Sequence, residues 1–151
     1  PFDDQTQNRV RLESEAILLI QKYFEIGEWQ WIRSVVVYYE INKTPMIERR
    51  LRLRRLASRA HEVIPLTPTV IQRSAELKTL GFKTHDALHV ACAEAGQVEA
   101  LLSTDDKLVK MGTRYAHQLK VRIENPLKWL PEEINDEHTN HDFGTNTFRR
   151  P

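Results

Sequence analysis

The sequence predicts an α/β fold of three layers, with a small parallel sheet held between helices. Three observations predict it. Apolar residues recur at helical spacing in several segments. Short apolar or β-branched runs stand between those segments and read as strands. The connections are short, which favours strand–helix–strand units and a parallel sheet covered on both faces. The helices outnumber the strands, so the sheet is small.

The first helix is expected over Thr6–Ile26. Val10, Ile17, Ile20 and Phe24 fall on one stripe, Asp3 and Asp4 stand where an N-cap is wanted, and Gly27 is a natural stop. A buried strand over Trp31–Val37 follows from its β-branched run, ending near Ser34 or Val36. Tyr38–Asn42 starts a short helix that must stop before Pro45. A helix over Pro45–His61 has proline in its first turn and buries Met46, Leu53, Leu56, Ala57 and Ala60. Glu62–Leu66 is a short strand, with Pro65 marking an end or an edge. Thr67 caps a helix over Pro68–Leu80 that Gly81 closes, and Thr84 caps one over His85–Ala95 that Gly96 closes. Ala87, Ala91 and Ala95 give that last helix a small-residue face. Glu99–Ser103 is a strand, Asp105–His117 a helix and Lys120–Glu124 a strand, before a turn at Asn125-Pro126. One domain is expected over residues 1–131. Residues 132–151 are rich in Asn, Asp, Glu, His and Thr and read as a polar, mobile tail.

Composition excludes several classes. With 40% hydrophobic and 28% charged residues the 151-residue chain is neither disordered nor fibrous. Its single cysteine, Cys92, rules out an internal disulfide and a Cys-rich zinc site, and suits a reducing, cytoplasmic compartment. No apolar run approaches the ~20 residues that span a bilayer, and no secretory signal is read at the start. The net charge is +1, so any basic site is local. The chain opens with Pro1 rather than Met, as expected of a segment that begins inside a longer gene product.

Acids at strand ends are the chemical feature of interest, because open parallel sheets collect function beyond the carboxyl ends of their strands. Glu40 follows the first strand, Asp105 and Asp106 follow the third, and Asp86 sits in the first turn of its helix. Each alone reads better as a cap or a surface residue than as a site acid. Together they supply the several oxygen ligands that a hard divalent cation needs.

The same residues carry a resemblance. Arg73-Ser-Ala-Glu-Leu77, Gly81, Thr84-His-Asp-Ala-Leu-His-Val-Ala-Cys-Ala-Glu94 and Leu101-Leu-Ser-Thr-Asp-Asp106 resemble the PIN-domain family of metal-dependent ribonucleases, as does the Val-Val-Val-Tyr-Tyr-Glu run ending at Glu40. The resemblance covers roughly residues 1–131. It implies an α/β/α fold, a Mg²⁺ or Mn²⁺ cofactor, and Glu40, Asp86 and Asp106 as catalytic metal-binding acids. Asp105 is then an extra metal acid, Thr104 a supporting hydroxyl, and RNA the substrate. An antitoxin becomes a candidate partner, since many small bacterial relatives are toxins of such pairs. The family also opens with a central strand ending in Asp, for which this sequence has no counterpart ahead of the first helix. That implies weak or absent activity for the chain as numbered, full activity only if the complete gene product supplies that strand and acid, and exposed strand edges that favour a homodimer or higher oligomer.

Two other readings stand beside this one. A PIN-like fold without catalysis, acting by binding, follows from the missing acid. A zinc hydrolase follows from the His85-x₃-His89 spacing, although Asp86 is one methylene shorter than the glutamate that chemistry wants, and no third ligand follows. Cys92 reads as a small core residue. Arg49, Arg50, Arg52, Arg54, Arg55 and Arg59 crowd one helix, and Arg52, Arg55 and Arg59 share a face that could meet RNA phosphates or simply be solvated beside Glu48 and Glu62. His138, His141, Asp136 and Asp142 read as tail residues rather than a metal site.

Overall fold

The structure is a computed structural model that describes residues 2–142, with side chains described for residues 4–135. The elements are α1 (Phe2–Glu25), β1 (Ile32–Ser34), α2 (Val36–Asn42), α3 (Ile47–Ala57), β2 (Glu62–Ile64), α4 (Pro68–Thr79), α5 (Thr84–Ala95), β3 (Ala100–Leu102), α6 (Asp106–Arg114), a 3-10 turn (Ala116–Gln118), β4 (Arg122–Glu124) and α7 (Pro126–Asp142).

The expected parallel sheet is present as two halves. β1 pairs with β2 in parallel, Ile32 opposite Glu62 and Ser34 opposite Ile64. β3 pairs with β4 in parallel, Ala100 opposite Arg122 and Leu102 opposite Glu124. Among the described residues no pairing joins β1 to β3. The layers are nonetheless three, and β3 shows why. Its alternating side chains face two cores: Leu101 packs with α4, α5 and α6 residues such as Leu77, Val90 and Leu108. Ala100 and Leu102 pack with Ile20 of α1, Trp29, and Trp129 and Leu130 of α7.

Helix ends follow local chemistry. Thr67 Oγ1 accepts from Val70 N–H at 3.2 Å, the expected N-cap. α4 ends in a Schellman motif: Gly81 has φ +113, Phe82 N–H donates to Leu77 O, and Phe82 and Leu77 pack in one core. α5 ends the same way, but the left-handed residue is Gln97 (φ 54), not Gly96. Gly96 instead makes room, since a Cβ there would lie 3.1 Å from the Ile64 side chain.

Several expected boundaries differ. α1 starts at Phe2, so Asp3 and Asp4 fall inside its first turn rather than ahead of it. β1 stops at Ser34, and Val36 and Val37 belong to α2. The reason lies in the partner strand: β2 ends at Ile64 before Pro65, and the last bond of the ladder runs from Val35 N–H to Ile64 O. Without a partner the β-propensity of the valines loses to helix formation. α3 is shorter than Pro45–His61, because His61 N–H already bonds Trp31 O at the start of the β1–β2 pairing. Of its expected apolar face only Ala57 is buried, and Met46 is exposed. Lys83, not Thr84, is the N-cap of α5, and Ala95 is exposed. The Asn125-Pro126 turn is a helix start: Asn125 Oδ1 accepts from Leu127 N–H at 2.8 Å and Pro126 is the first helical residue. α7 therefore runs on through residues 132–142, with Ile134 against the α1 core, where a mobile tail was expected from residue 132. The side chains of Asp136, His138, His141 and Asp142 lie outside the described ones.

Candidate metal and nuclease site

The carboxyl ends of β1 and β3 meet at the start of α5, and Asp86 is the centre of the site. It stands in the first turn of α5, half-buried. Burial raises its carboxyl above the ordinary carboxylate range, and the neighbouring Asp105 carboxylate raises it further. His89 and Lys83 oppose the rise, and Glu40 adds to it. Three acids from three separate segments therefore share one electrostatic neighbourhood: Glu40 from α2, Asp86 from α5 and Asp105 from the turn after β3.

Glu40, Asp105 and Asp106 each have a local partner. Glu40 Oε1 lies 2.7 Å from His89 Nε2 and 3.4 Å from His85 Nδ1. His89 Nδ1 in turn lies 3.0 Å from Ser34 Oγ, at the end of β1. A proton on Nε2, donated to Glu40, leaves Nδ1 to accept from the Ser34 hydroxyl. Asp105 caps α6, its Oδ1 accepting from Lys107 N–H at 3.0 Å and Leu108 N–H at 3.5 Å. Its own N–H donates to Ser103 Oγ at 3.0 Å. Asp106 takes a different partner. Both of its carboxylate oxygens accept from the Arg9 guanidinium of α1, at 2.8 and 2.5 Å. That bidentate contact holds its carboxyl below the ordinary range. Arg9 also reaches the buried Glu13, which accepts from Asn125 Nδ2 at 2.6 Å.

Asp105 and Glu40 thus lie within electrostatic reach of Asp86, while Asp106 is turned toward Arg9. Thr104 is exposed beside the same corner, where Ser103 supplies the engaged hydroxyl. Among the described residues no three His, Cys, Asp or Glu side chains are gathered tightly enough to hold a metal ion. His85 and His89 both turn to Glu40 and have no third ligand there. Arg52, Arg55 and Arg59 are exposed, Arg59 pairing with Glu25 at 3.6 Å. No described helix is long and apolar enough to cross a membrane.

Sequence reasoning missed Arg9, Ser34 and Ser103. The Arg9–Glu13 spacing of four was a readable signal for a helix pair, but not for contact with Asp106 from ninety-seven residues away. It also missed that Glu94 is structural: this buried carboxylate accepts from Arg73 Nε at 2.7 Å, Arg73 Nη2 at 3.1 Å and Lys120 N–H at 2.8 Å.

A family model described as PIN domain matches residues 15–113 of the chain. A search of curated proteins finds no match. A search of solved structures finds none either.

Proposed function

Because the chain belongs to the PIN-domain family, a nuclease-like superfamily whose members are generally divalent-metal dependent, we propose that it is a Mg²⁺- or Mn²⁺-dependent ribonuclease. The supporting observation is Asp86 at the start of α5, whose carboxyl burial, Asp105 and Glu40 push upward. A carboxyl raised by burial and by neighbouring carboxylates is one whose ionised form a hard cation stabilises. Glu40, Asp86 and Asp105 would hold the metal by drawing closer than they stand, Asp106 would join them only on leaving Arg9, and Thr104 would stand beside them. When bound, the metal supplies an acidified water and neutralises charge on the phosphate oxygens.

The chain's own residues do the rest. His89, itself held by Ser34, aims the Glu40 carboxylate toward the start of α5. Asp105 is fixed by two backbone N–H groups of α6. Arg9 keeps Asp106 ionised but turned to α1. Arg52, Arg55 and Arg59 would meet RNA phosphates as a sequence-independent contact. A homodimer, and an antitoxin-like protein inhibitor, belong to the same proposal.

The second reading is binding without catalysis. The Arg9 contact favours it, since it occupies an acid the metal would need. The test runs wild type and Asp86→Asn on one single-stranded RNA with Mn²⁺, Mg²⁺, Zn²⁺ or chelator. Weak Mn²⁺- or Mg²⁺-dependent cleavage that Asp86→Asn abolishes supports the nuclease. RNA binding without cleavage, and no thermal response to Mn²⁺, replaces it with the binding reading. Hydrolysis with Zn²⁺ alone, lost in His85→Ala, overturns both.

A further inference from the structure

The helix pair α2–α3 carries a set of groups that the site acids do not use. Tyr39 precedes Glu40 on α2 and is 60% exposed. No other Phe, Tyr or Trp is exposed among the described residues. The ring of its neighbour Tyr38 lies under the Arg33 guanidinium, 3.8 Å from its Cζ. No ring and no cation covers Tyr39 among the described residues. Its face is therefore open to stack on a flat ligand.

Asn42 stands one turn beyond Tyr39, on the same side of α2. Its Oδ1 accepts from Arg54 of α3, from Nε at 3.1 Å and from Nη2 at 2.5 Å. A neutral carboxamide orients the guanidinium and leaves its charge intact. Arg50 lies one turn before Arg54, on the same stripe of α3. That stripe is separate from the one of Arg52, Arg55 and Arg59. Among the described residues neither Arg50 nor Arg54 pairs with a carboxylate, and Glu48 of the same helix forms no ion pair. Glu40 meets α5 and Asn42 meets α3, with Tyr39 beside both on the short helix between.

We propose that Tyr39 and the Arg50–Arg54 stripe form the track on which single-stranded RNA enters the site. Tyr39 stacks one unpaired base beside Glu40, and the two arginines hold phosphates of neighbouring nucleotides. The proposal rests on the nuclease reading of the acids. Charge points to a polyanion, because the arginines repel one another and no carboxylate relieves them. The open ring selects a single strand over a duplex, whose bases are already stacked on one another. It also selects RNA over an acidic protein segment, since a base offers the ring a π-face that a run of carboxylates lacks.

The test measures binding of a labelled oligouridine of about ten nucleotides, within the usual site size for one domain. It uses Asp86→Asn with Mg²⁺, so that binding is read without cleavage. Adding Tyr39→Ala should weaken binding about tenfold, the scale of one stacked base, and Tyr39→Phe should restore it. One abasic position in the RNA should cost the Tyr39 protein and not the Tyr39→Ala protein. Arg54→Gln should reduce the slope of log K against log salt by about 0.7, and Arg54→Lys should restore it. Tyr39 and Arg54 are exposed, so unchanged melts are expected for every variant. No binding, binding indifferent to Tyr39→Ala, or equal binding of duplex RNA overturns the proposal. An acidic peptide bound as tightly at matched charge overturns it in favour of a protein partner. Cleavage by the wild-type protein is read separately. Cleavage with binding indifferent to Tyr39 and Arg54 overturns this inference alone, whereas Tyr39-dependent binding without cleavage supports the track and overturns the nuclease.

Discussion

The helix that presents Asp86 also carries Glu94, and replacing Glu94 by alanine separates a structural acid from the proposed site acids. The Glu94 side chain is 4% exposed and Arg73 is 26% exposed. Glu94 ties together α5, Arg73 of α4 and the Lys120 amide just before β4. Its contact also holds the Arg73 guanidinium above its ordinary pKa. Removing the carboxylate leaves Arg73 with Glu76 and the Gln118 carbonyl, and leaves the Lys120 N–H without its acceptor. Breaking a buried pair from one side costs ~3–5 kcal/mol. Arg73 keeps two partners and some water, so the lower end applies, about 3 kcal/mol. For a domain of this size that lowers Tm by roughly 6–12 °C. The assay is urea unfolding followed by circular dichroism, with thermal melts beside it. Arg73→Met/Glu94→Leu should recover much of the loss, because an apolar pair replaces the buried charges without orphaning one. A loss under about 1 kcal/mol for Glu94→Ala, or a double variant no better than the single, refutes the reasoning.

Asp86→Asn should behave in the opposite way. The folded carboxyl is raised, so its ionisation opposes folding: the full stability is present below the ordinary carboxylate pKa and declines as pH rises through the raised value. Melts at neutral pH without metal should therefore show the variant at least as stable as wild type. The wild type alone should gain from Mn²⁺, by about 2.7 kcal/mol at a hundredfold excess over Kd. Asp106 has the reverse sign, its carboxyl being held low by Arg9, so that contact stabilises above the ordinary carboxylate pKa and is lost as pH falls through the depressed value. Arg9→Met should remove that acid-side step from a pH titration of stability and move the Mn²⁺ midpoint to lower concentration. Burial pushes the Cys92 thiol up to about 11, so iodoacetamide at mildly alkaline pH should modify it only in urea, as mass spectrometry would show. Gly112→Ala places a Cβ 2.6 Å from the Ile123 Cβ, and should cost ~1–3 kcal/mol of overpacking against ~1 kcal/mol of helix propensity gained. An unchanged melt would show that α6 can shift.

Local physics made most of the fold legible along the sequence. The stripe of α1, the Thr67 cap, the glycine stops of α1 and α4 and the short strands all depend on residues within a few positions of one another. The motif around Asp86 was legible for the same reason, since its helix spacing is local and carries the family resemblance. What the sequence could not determine depends on partners far along the chain. Val36 and Val37 became helix because Pro65 ends the partner strand. Of two adjacent aspartates at the end of β3, Asp105 turned to cap α6 in the field of Asp86, and Asp106 met an arginine ninety-seven residues earlier. That β1 pairs with β2 and β3 with β4, among the described residues, is likewise a tertiary fact: which strands lie side by side depends on every other strand, and no window of residues records that.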